Sequence, residues 1–303
     1  VVAEISVALT FDDVVQHVPI EKAEAARALA TAHEIDLMVC VGGGSTTGLA
    51  KAVALTTGIP IVAIPTTYAG SEATPVWGLT EASRKTTGID PRVLPVTVIY
   101  DATLTYSLPA DMSVASGMNA LAHCIDSLWA PKADPINAAF AIEGIRALAE
   151  GLPAVLADPT SEPGRQKSLY GAYLSAVAFG SAGSGMHHKI CHVLGGTYNL
   201  PHAQTHATVL PYVLAFNANA APEAEHRIAQ AFGTPTALGG LQQLRAKLDA
   251  PRALKDFGFA QSQIAEAVSI ALPLIPESNP RPATSENLTA LLHAAWAGDD
   301  PTS

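Results

Sequence analysis

Short apolar runs alternate with helix-like segments along the first hundred residues. Residues 37–41 (LMVCV) and 59–65 (IPIVAIP) are brief, apolar and rich in β-branched side chains, as is typical of buried strands. A further apolar run, near 93–101, has the same character. Residues 21–33, before the first run, and residues 46–57, between the first two runs, have the composition of helices. This alternation predicts a parallel sheet with crossover helices.

From about Ser107 the pattern changes to long Ala- and Leu-rich stretches that are joined by turns bearing Pro and Gly. Such stretches predict that the C-terminal two-thirds of the chain is mostly helical. The fold class is therefore predicted as α/β plus all-α. An α/β domain of the Rossmann-like type occupies residues 1–105, and a helical domain that carries the catalytic groups occupies residues 106–303.

Composition excludes several classes of function. The chain has 303 residues, and with 49% hydrophobic and 15% charged residues it can bury a substantial core. A net charge of −10 and the lack of any Lys/Arg run argue against a nucleic acid partner. Residues 52–71 carry no charge, but Gly58, Pro60 and Pro65 interrupt them, so no membrane span is predicted. Three widely spaced cysteines favour a reducing, cytoplasmic location.

Two loops follow the first two predicted strands and suggest a ligand site. VGGGS at 41–45 stands between a strand and a helix, where glycines let the backbone approach a phosphate and the helix offers free N–H groups. PTTYAGSEATP at 65–75 adds hydroxyl groups directly after the next strand. Neighbouring strand ends open on one crevice in α/β sheets, so these loops predict a nucleotide-type ligand. A glycine-rich turn without a ligand is the alternative for the first loop alone.

Five of the ten histidines lie within residues 185–207. His188 and His192 are four residues apart, as are Asn119 and His123, so each pair shares one face of a predicted helix. Imidazole and carboxylate groups from separate segments are ligands for iron or zinc. A single histidine is more often an ordinary core or surface side chain, but the cluster favours a functional site.

Several motifs in this order resemble the iron-containing alcohol dehydrogenase superfamily, which shares its fold with dehydroquinate synthase. They are GGGS, PTTYAGSEATP, SGMNALAHCID and GMHHKICHVLGGTYNLPHA. HVP at 17–19, RKTTGIDPRVLP and ENLTALLHAAWAGDDP are similar to the maleylacetate reductase branch of that superfamily. The resemblance runs from about residue 17 to the C-terminus. It implies a Rossmann-like domain, a helical domain and a cleft between them that binds NADH or NADPH.

The resemblance assigns candidate residues one by one. Members of the superfamily grip the cofactor pyrophosphate at the first loop and the rest of the cofactor at the second, which here are Gly43, Gly44 and Ser45, and Thr66, Thr67 and Ser71. Metal-dependent members use an aspartate and three histidines. The corresponding positions are Asn119, His123, His188 and His202. An amide is a poorer ligand than a carboxylate, so we expect vestigial metal positions and catalysis without a metal. Asp126 is predicted to lie too far along the helix to replace the missing carboxylate.

The implied reaction is reduction of 2-maleylacetate to 3-oxoadipate in the degradation of aromatic compounds. Hydride addition beside a ketone requires a hydrogen-bond donor for the developing oxyanion and an acid for carbon. We assign these roles to His188 and His192, and expect His123 and His202 to shape the pocket. Lys85 is the candidate contact for the dicarboxylate substrate, with an ordinary solvated side chain as the alternative. The resemblance also implies a homodimer.

Two alternatives stay open at this point. One is a metal-dependent alcohol dehydrogenase of the same superfamily, and the other is a non-catalytic binding protein. The second is motivated by the start at Val1, because we expect an N-terminal portion of the cofactor domain to precede it. The choice between NADH and NADPH, and any tolerance for chlorinated substrates, is not visible in the sequence.

Overall fold

The chain forms two compact units in a computed structural model, which describes residues 6–81 and 84–301 without the side chains of Arg84 and Lys85. The first unit comprises the described chain up to Thr66 together with Ser71–Asp101. The second comprises Thr67–Gly70 and the described chain from Ala102 onward. The sequence places the domain boundary after residue 105, whereas the structure divides the chain after Asp101 and assigns four residues of the second loop to the helical unit.

The first unit is built on a small parallel sheet. Its elements are α1 (Ile20–Ala32), β1 (Met38–Gly42), α2 (Gly44–Thr57), β2 (Ile61–Pro65), β3 (Val76–Glu81), β4 (Arg84–Ile89) and β5 (Thr97–Val98). The sheet has the order β1-β2-β5 with parallel pairing throughout, which confirms the predicted α/β architecture.

Helix α2 connects the two halves of this unit's core. Ala50 and Ala54 pack in one cluster with Cys40 and Ile61 of the sheet. Leu49, Ala52 and Val53 belong to a second cluster that includes the small buried residues of α1. An Ala-rich helix can approach its neighbours closely on more than one side, so α2 packs against both clusters directly after the first loop.

Two strands in this unit were not predicted. β3 and β4 form an antiparallel hairpin in which Trp77 lies opposite Gly88. A Cβ atom at Gly88 would come within 2.5 Å of the Trp77 ring, so only glycine leaves space for the indole there. The polar sequence RKTTG has no apolar alternation to reveal the strand. The predicted strand near 93–101 shrinks to two residues, since Pro95 just before it offers no N–H to a ladder.

The described part of the second unit is mostly helical and contains no strand, as predicted. Its helices are α3 (Ala110–Ser127), α4 (Pro135–Ala157), α5 (Glu162–Ala182), α6 (Met186–Tyr198), α7 (His202–Ala218), α8 (Pro222–Phe232), α9 (Ala237–Leu248), α10 (Ile264–Ala271) and α11 (Ser285–Ala297). Among the residues that the structure describes, none of these helices combines the length and the apolar composition that crossing a bilayer requires.

Close packing between α4 and α5 supports the helices that carry the histidines. A Cβ atom at Gly151 would lie 2.8 Å from the backbone nitrogen of Ser168, and one at Gly171 would lie 2.7 Å from Cγ of Leu148. Both glycines therefore let the two backbones approach each other. On the other side, α6 and α7 share an apolar core with α10 and α11. This packing fixes α6 and α7 beside α3 and α5.

Candidate active site

The first predicted cofactor loop forms an open helix N-terminus. Gly43 is the N-cap of α2, has no side-chain hydrogen bond to the helix, and is followed by Gly44 and Ser45 in the first turn. The first backbone hydrogen bond of the helix runs from the Thr47 N–H to the Gly43 oxygen. The N–H groups before Thr47 therefore have no partner within the helix and, with the helix dipole, favour an anion.

The second predicted loop begins beside the first. The Thr66 N–H donates to the Gly42 oxygen at 3.0 Å, which fixes the ends of β1 and β2 next to each other. Thr67 lies in the part of the loop that belongs to the helical unit, and Ser71 starts a short 3₁₀ turn in the first unit. The strand ends thus carry the residues that the sequence selects, but contact with a cofactor stays a prediction.

In the helical unit, six histidine rings from three helices form one cluster. The rings belong to His123 of α3, His187, His188 and His192 of α6, and His202 and His206 of α7. Neighbouring ring centroids lie 4.4 to 6.4 Å apart. Four of these side chains are buried, whereas His192 and His202 are half-buried. The cluster therefore has a buried interior and reaches solvent through these two residues.

Asp126 orients His188. Its Oδ2 atom accepts the Nδ1–H of His188 at 2.7 Å, and it also accepts the backbone N–H of Gly185 at 2.9 Å. Further N–H donors come from His187 and Trp129 at 3.3 Å. An ionised carboxylate can only accept, so the proton of neutral His188 stays on Nδ1 and the lone pair of Nε2 faces the cluster. Asp126 thus caps α6 and selects the tautomer of His188.

Glycine is required where α6 begins. A Cβ atom at Gly185 would lie 2.5 Å from Oδ1 of Asp126. Any larger residue would displace the carboxylate from the N-terminus of the helix. The GMHH sequence therefore serves the Asp126 contact as well as carrying the histidines.

His123 is packed face to face with other rings. It stacks on His188 with centroids 4.9 Å apart and an interplanar angle of 14°, and on Phe179 at 4.7 Å. Within the described chain, neither the His123 Nδ1 atom nor the buried Oδ1 atom of Asn119 has a hydrogen-bond partner. Imidazole lone pairs lie in the ring plane, so stacked rings do not direct them at one ion.

A second set of donors lies deeper in the cluster. His187 Nε2 and His206 Nδ1 share a hydrogen bond of 2.9 Å, and Sγ of Cys191 lies 3.6 Å from the same His187 atom. In the part of the chain that is described, these three side chains form a group whose candidate metal-ligand atoms all lie within 4.8 Å of one another. None of the three stands at a position that the resemblance assigns to the metal.

Burial controls the charge of the cluster. It lowers the pKa of His123 to about 4 and that of His187 to about 3, and it lowers the pKa of His188 and His206 well below the ordinary value. Burial also raises the pKa of Asp126 to about 6, against the opposing effect of the N–H donors around it. At neutral pH the buried imidazoles are therefore neutral, and Asp126 supplies the negative charge.

The structure brings together all four histidines that the sequence selects, and it adds residues that the sequence analysis missed. The sequence presents Asp126 only as a possible substitute metal ligand, and nothing in it indicates the contact with His188. His187 and His206 received no role, although the spacings of four residues from His187 to Cys191 and from His202 to His206 place each pair on one helix face. Lys85 lies in β4, but its side chain is outside the described part of the structure, so its role stays a prediction.

Family models match both units. The model described as "Iron-containing alcohol dehydrogenase" matches residues 2–102, and the C-terminal model of the Fe-containing alcohol dehydrogenase family matches residues 113–296. A maleylacetate reductase of Sphingobium indicum is 47% identical over 291 residues, which are 96% of this chain and 82% of that protein.

Solved structures agree with these matches. An iron-containing alcohol dehydrogenase from Corynebacterium glutamicum is 70% identical with a TM-score of 0.96, and the match covers 98% of this chain and 84% of that one. A maleylacetate reductase from Rhizobium sp. is 43% identical with a TM-score of 0.90, covering 96% and 83%. The predicted resemblance is confirmed: the chain belongs to the iron-containing alcohol dehydrogenase family.

Proposed function

We propose that this chain is a maleylacetate reductase, which uses NADH or NADPH to reduce 2-maleylacetate to 3-oxoadipate without a catalytic metal. The observation that carries the proposal is the pair formed by Asp126 and His188, inside a histidine cluster in which Asn119 stands at the position of the metal-binding carboxylate. The relatives named maleylacetate reductase support the choice of substrate. A cytoplasmic location and a homodimer stay predictions.

The residues of the first unit fit a nicotinamide dinucleotide. The cradle at Gly43, Gly44 and Ser45 presents uncapped N–H groups at a helix N-terminus, which suits a pyrophosphate. A Cβ atom at Gly42 would lie 2.4 Å from Oγ1 of Thr46, so this turn accepts only glycine. When bound, the nicotinamide would supply the hydride. Thr66, Thr67 and Ser71 would hold the other side of the cofactor.

The histidine cluster does not fit the family's metal as it stands. The stacked rings of His123 and His188 do not direct their lone pairs at one point, and Asn119 offers a neutral amide in place of a carboxylate. Three neutral imidazoles and an amide would leave the full charge of a divalent ion in a buried site. We therefore derive no step through a metal.

The Asp126–His188 pair supplies the proton chemistry. The substrate reaction consumes one hydride and one proton, and negative charge develops on the ketone oxygen before carbon is protonated. A dianionic substrate would favour protonation of His188, and Asp126 would stabilise the resulting imidazolium as a buried carboxylate does for other catalytic histidines. His188 can then donate from Nε2, and half-buried His192 can exchange protons with solvent.

The test compares substrates and one matched pair of variants. The purified chain is assayed for NADH oxidation with 2-maleylacetate and with simple aldehydes, and the product is identified as 3-oxoadipate by chromatography. We expect turnover with 2-maleylacetate and its loss in H188A. The control is S127A, which removes the buried hydrogen bond from Ser127 Oγ to the His123 carbonyl at 2.5 Å without touching a ring. Preference for the aldehydes, or unchanged turnover in H188A, would refute the proposal.

A further inference from the structure

One lysine and one arginine that the mechanism does not use are completely buried. Both donate hydrogen bonds to the second loop, residues 66–76. Lys51 on α2 and Arg165 on α5 are each 0% exposed. A buried cation is costly unless hydrogen bonds replace its water. The hydrogen-bond partners of these two cations therefore show which segment each cation stabilises.

Lys51 fixes the end of the second loop within the first unit. Its Nζ atom donates to the backbone oxygens of Ser71 at 2.5 Å, Thr74 at 2.7 Å and Val76 at 2.8 Å. The hydroxyl oxygen of Thr74 lies 3.1 Å away. An ammonium group has three donors, so backbone carbonyls alone can satisfy it. Burial lowers the pKa of Lys51 to about 7, and the nearby Glu72 opposes this shift.

Arg165 fixes the middle of the same loop within the second unit. Its guanidinium donates to the Tyr68 hydroxyl at 3.0 Å and to Ser113 Oγ at 2.9 Å. It also donates to the backbone oxygens of Leu108 and Pro159 at 3.2 and 3.0 Å. Tyr68 is 0% exposed and belongs to the four residues that the loop contributes to the helical unit.

We infer that Lys51 and Arg165 are positioning residues for the cofactor loop, and that they hold residues 66–76 in the conformation that binds the nicotinamide dinucleotide. The inference rests on the proposed function, because Thr66, Thr67 and Ser71 are assigned to the cofactor there. Neither cation needs to touch the cofactor. Lys51 restrains the loop mainly through backbone oxygens, which every sequence in this loop would possess, whereas Arg165 restrains it through the Tyr68 hydroxyl.

The test substitutes each cation with an apolar side chain of similar length. K51M and R165M are compared with R27M, which removes a cation of α1. Arg27 donates to the oxygen of Ala52, the residue after Lys51 on α2, at 2.7 and 3.0 Å, and among the described residues it shows no hydrogen bond to the loop. NADH affinity is measured by fluorescence titration. Amide exchange of the peptides covering 66–76 is measured without cofactor. Y68F and T74V are the milder versions, because each removes only one hydrogen bond of the cation; T74V also removes the bond from the Thr74 hydroxyl to the Ser71 oxygen.

We expect K51M and R165M to raise the Kd and the KM for NADH by tenfold or more. The decrease in kcat should be smaller than this factor. Exchange at 66–76 should rise before any cofactor is added, while R27M changes neither quantity more than twofold. Wild-type chain that binds no NADH would refute the proposed function. Wild-type binding combined with unchanged Kd and unchanged exchange in folded K51M and R165M would refute this inference alone. If both variants fail to fold, the same two outcomes apply to Y68F and T74V, with a smaller expected increase of about threefold.

Discussion

Replacing Asp126 with asparagine separates the charge of this residue from its shape. In the native structure Oδ2 accepts the Nδ1–H of His188 and the N–H of Gly185, and Oδ1 accepts the N–H groups of His187 and Trp129. An amide has one accepting oxygen and one donating nitrogen. Whichever way the amide lies, its NH₂ group faces groups that donated to the carboxylate.

The expected losses of stability and of kcat in D126N both follow from this geometry. With NH₂ at the Oδ2 position, the backbone N–H groups of Gly185 and His188 lose their partner, and the side-chain proton of His188 moves to Nε2. With NH₂ at the Oδ1 position, two buried N–H groups lose their partner instead. One orphaned buried donor costs about 1–3 kcal/mol of unfolding free energy. Loss of the imidazolium's counter-charge lowers kcat by about 100- to 10,000-fold, as in other enzymes whose catalytic histidine depends on a carboxylate.

The assay follows NADH oxidation with 2-maleylacetate, together with denaturant unfolding of the same samples. S127A is the control, since Ser127 is the next residue on α3, is equally buried, and bonds only to a helix carbonyl. We expect D126N to lose both rate and stability, and S127A to lose about 1 kcal/mol with its rate kept. A D126N variant with native turnover would refute the role of the Asp126–His188 pair.

Two further predictions concern the same cluster, and a third concerns the first cofactor loop. G185A should reproduce the rate loss of D126N, because its Cβ would lie 2.5 Å from Asp126 Oδ1, and a crystal structure with an undisturbed carboxylate would contradict this. Acid should destabilise the protein through His187: its pKa is about 3 when folded and about 6.5 when unfolded, so the unfolded state takes up the proton first. The free energy of unfolding therefore falls by about 2 kcal/mol between about pH 7 and about pH 5. Denaturant unfolding of H187Q at a series of pH values should lack this part of the pH dependence. G42A should weaken NADH binding by displacing Thr46, with fluorescence titration as the measurement and native affinity as the contrary result.

Local signals in the sequence predicted the elements that depend on local chemistry. The strand at Met38–Gly42 and the helix from Gly44 both follow from apolar runs and a glycine turn. The histidine spacing of four residues placed His188 and His192 on one helix, and the structure brings them into one cluster. In these cases neighbours along the chain determine the outcome.

The missed features depend on contacts between distant residues. Asp126 and His188 are separated by 62 residues, and no pattern near either one indicates that α3 caps α6. Lys51 looks like a solvated lysine in a helix, and only the path of residues 71–76 around it makes it a buried anchor. The pairing of β3 with β4 is likewise fixed by the cross-strand space that Gly88 leaves for Trp77.

The central claim is that the retained histidines serve proton transfer and not a catalytic metal. The most direct test measures NADH oxidation with 2-maleylacetate on chelator-treated enzyme and on the same enzyme resupplied with ferrous iron or zinc. The account predicts equal turnover in both samples, because Asp126 and His188 supply the proton chemistry and Asn119 is a poor ligand. Turnover that appears only after the metal is added would contradict it and favour a metal-dependent alcohol dehydrogenase.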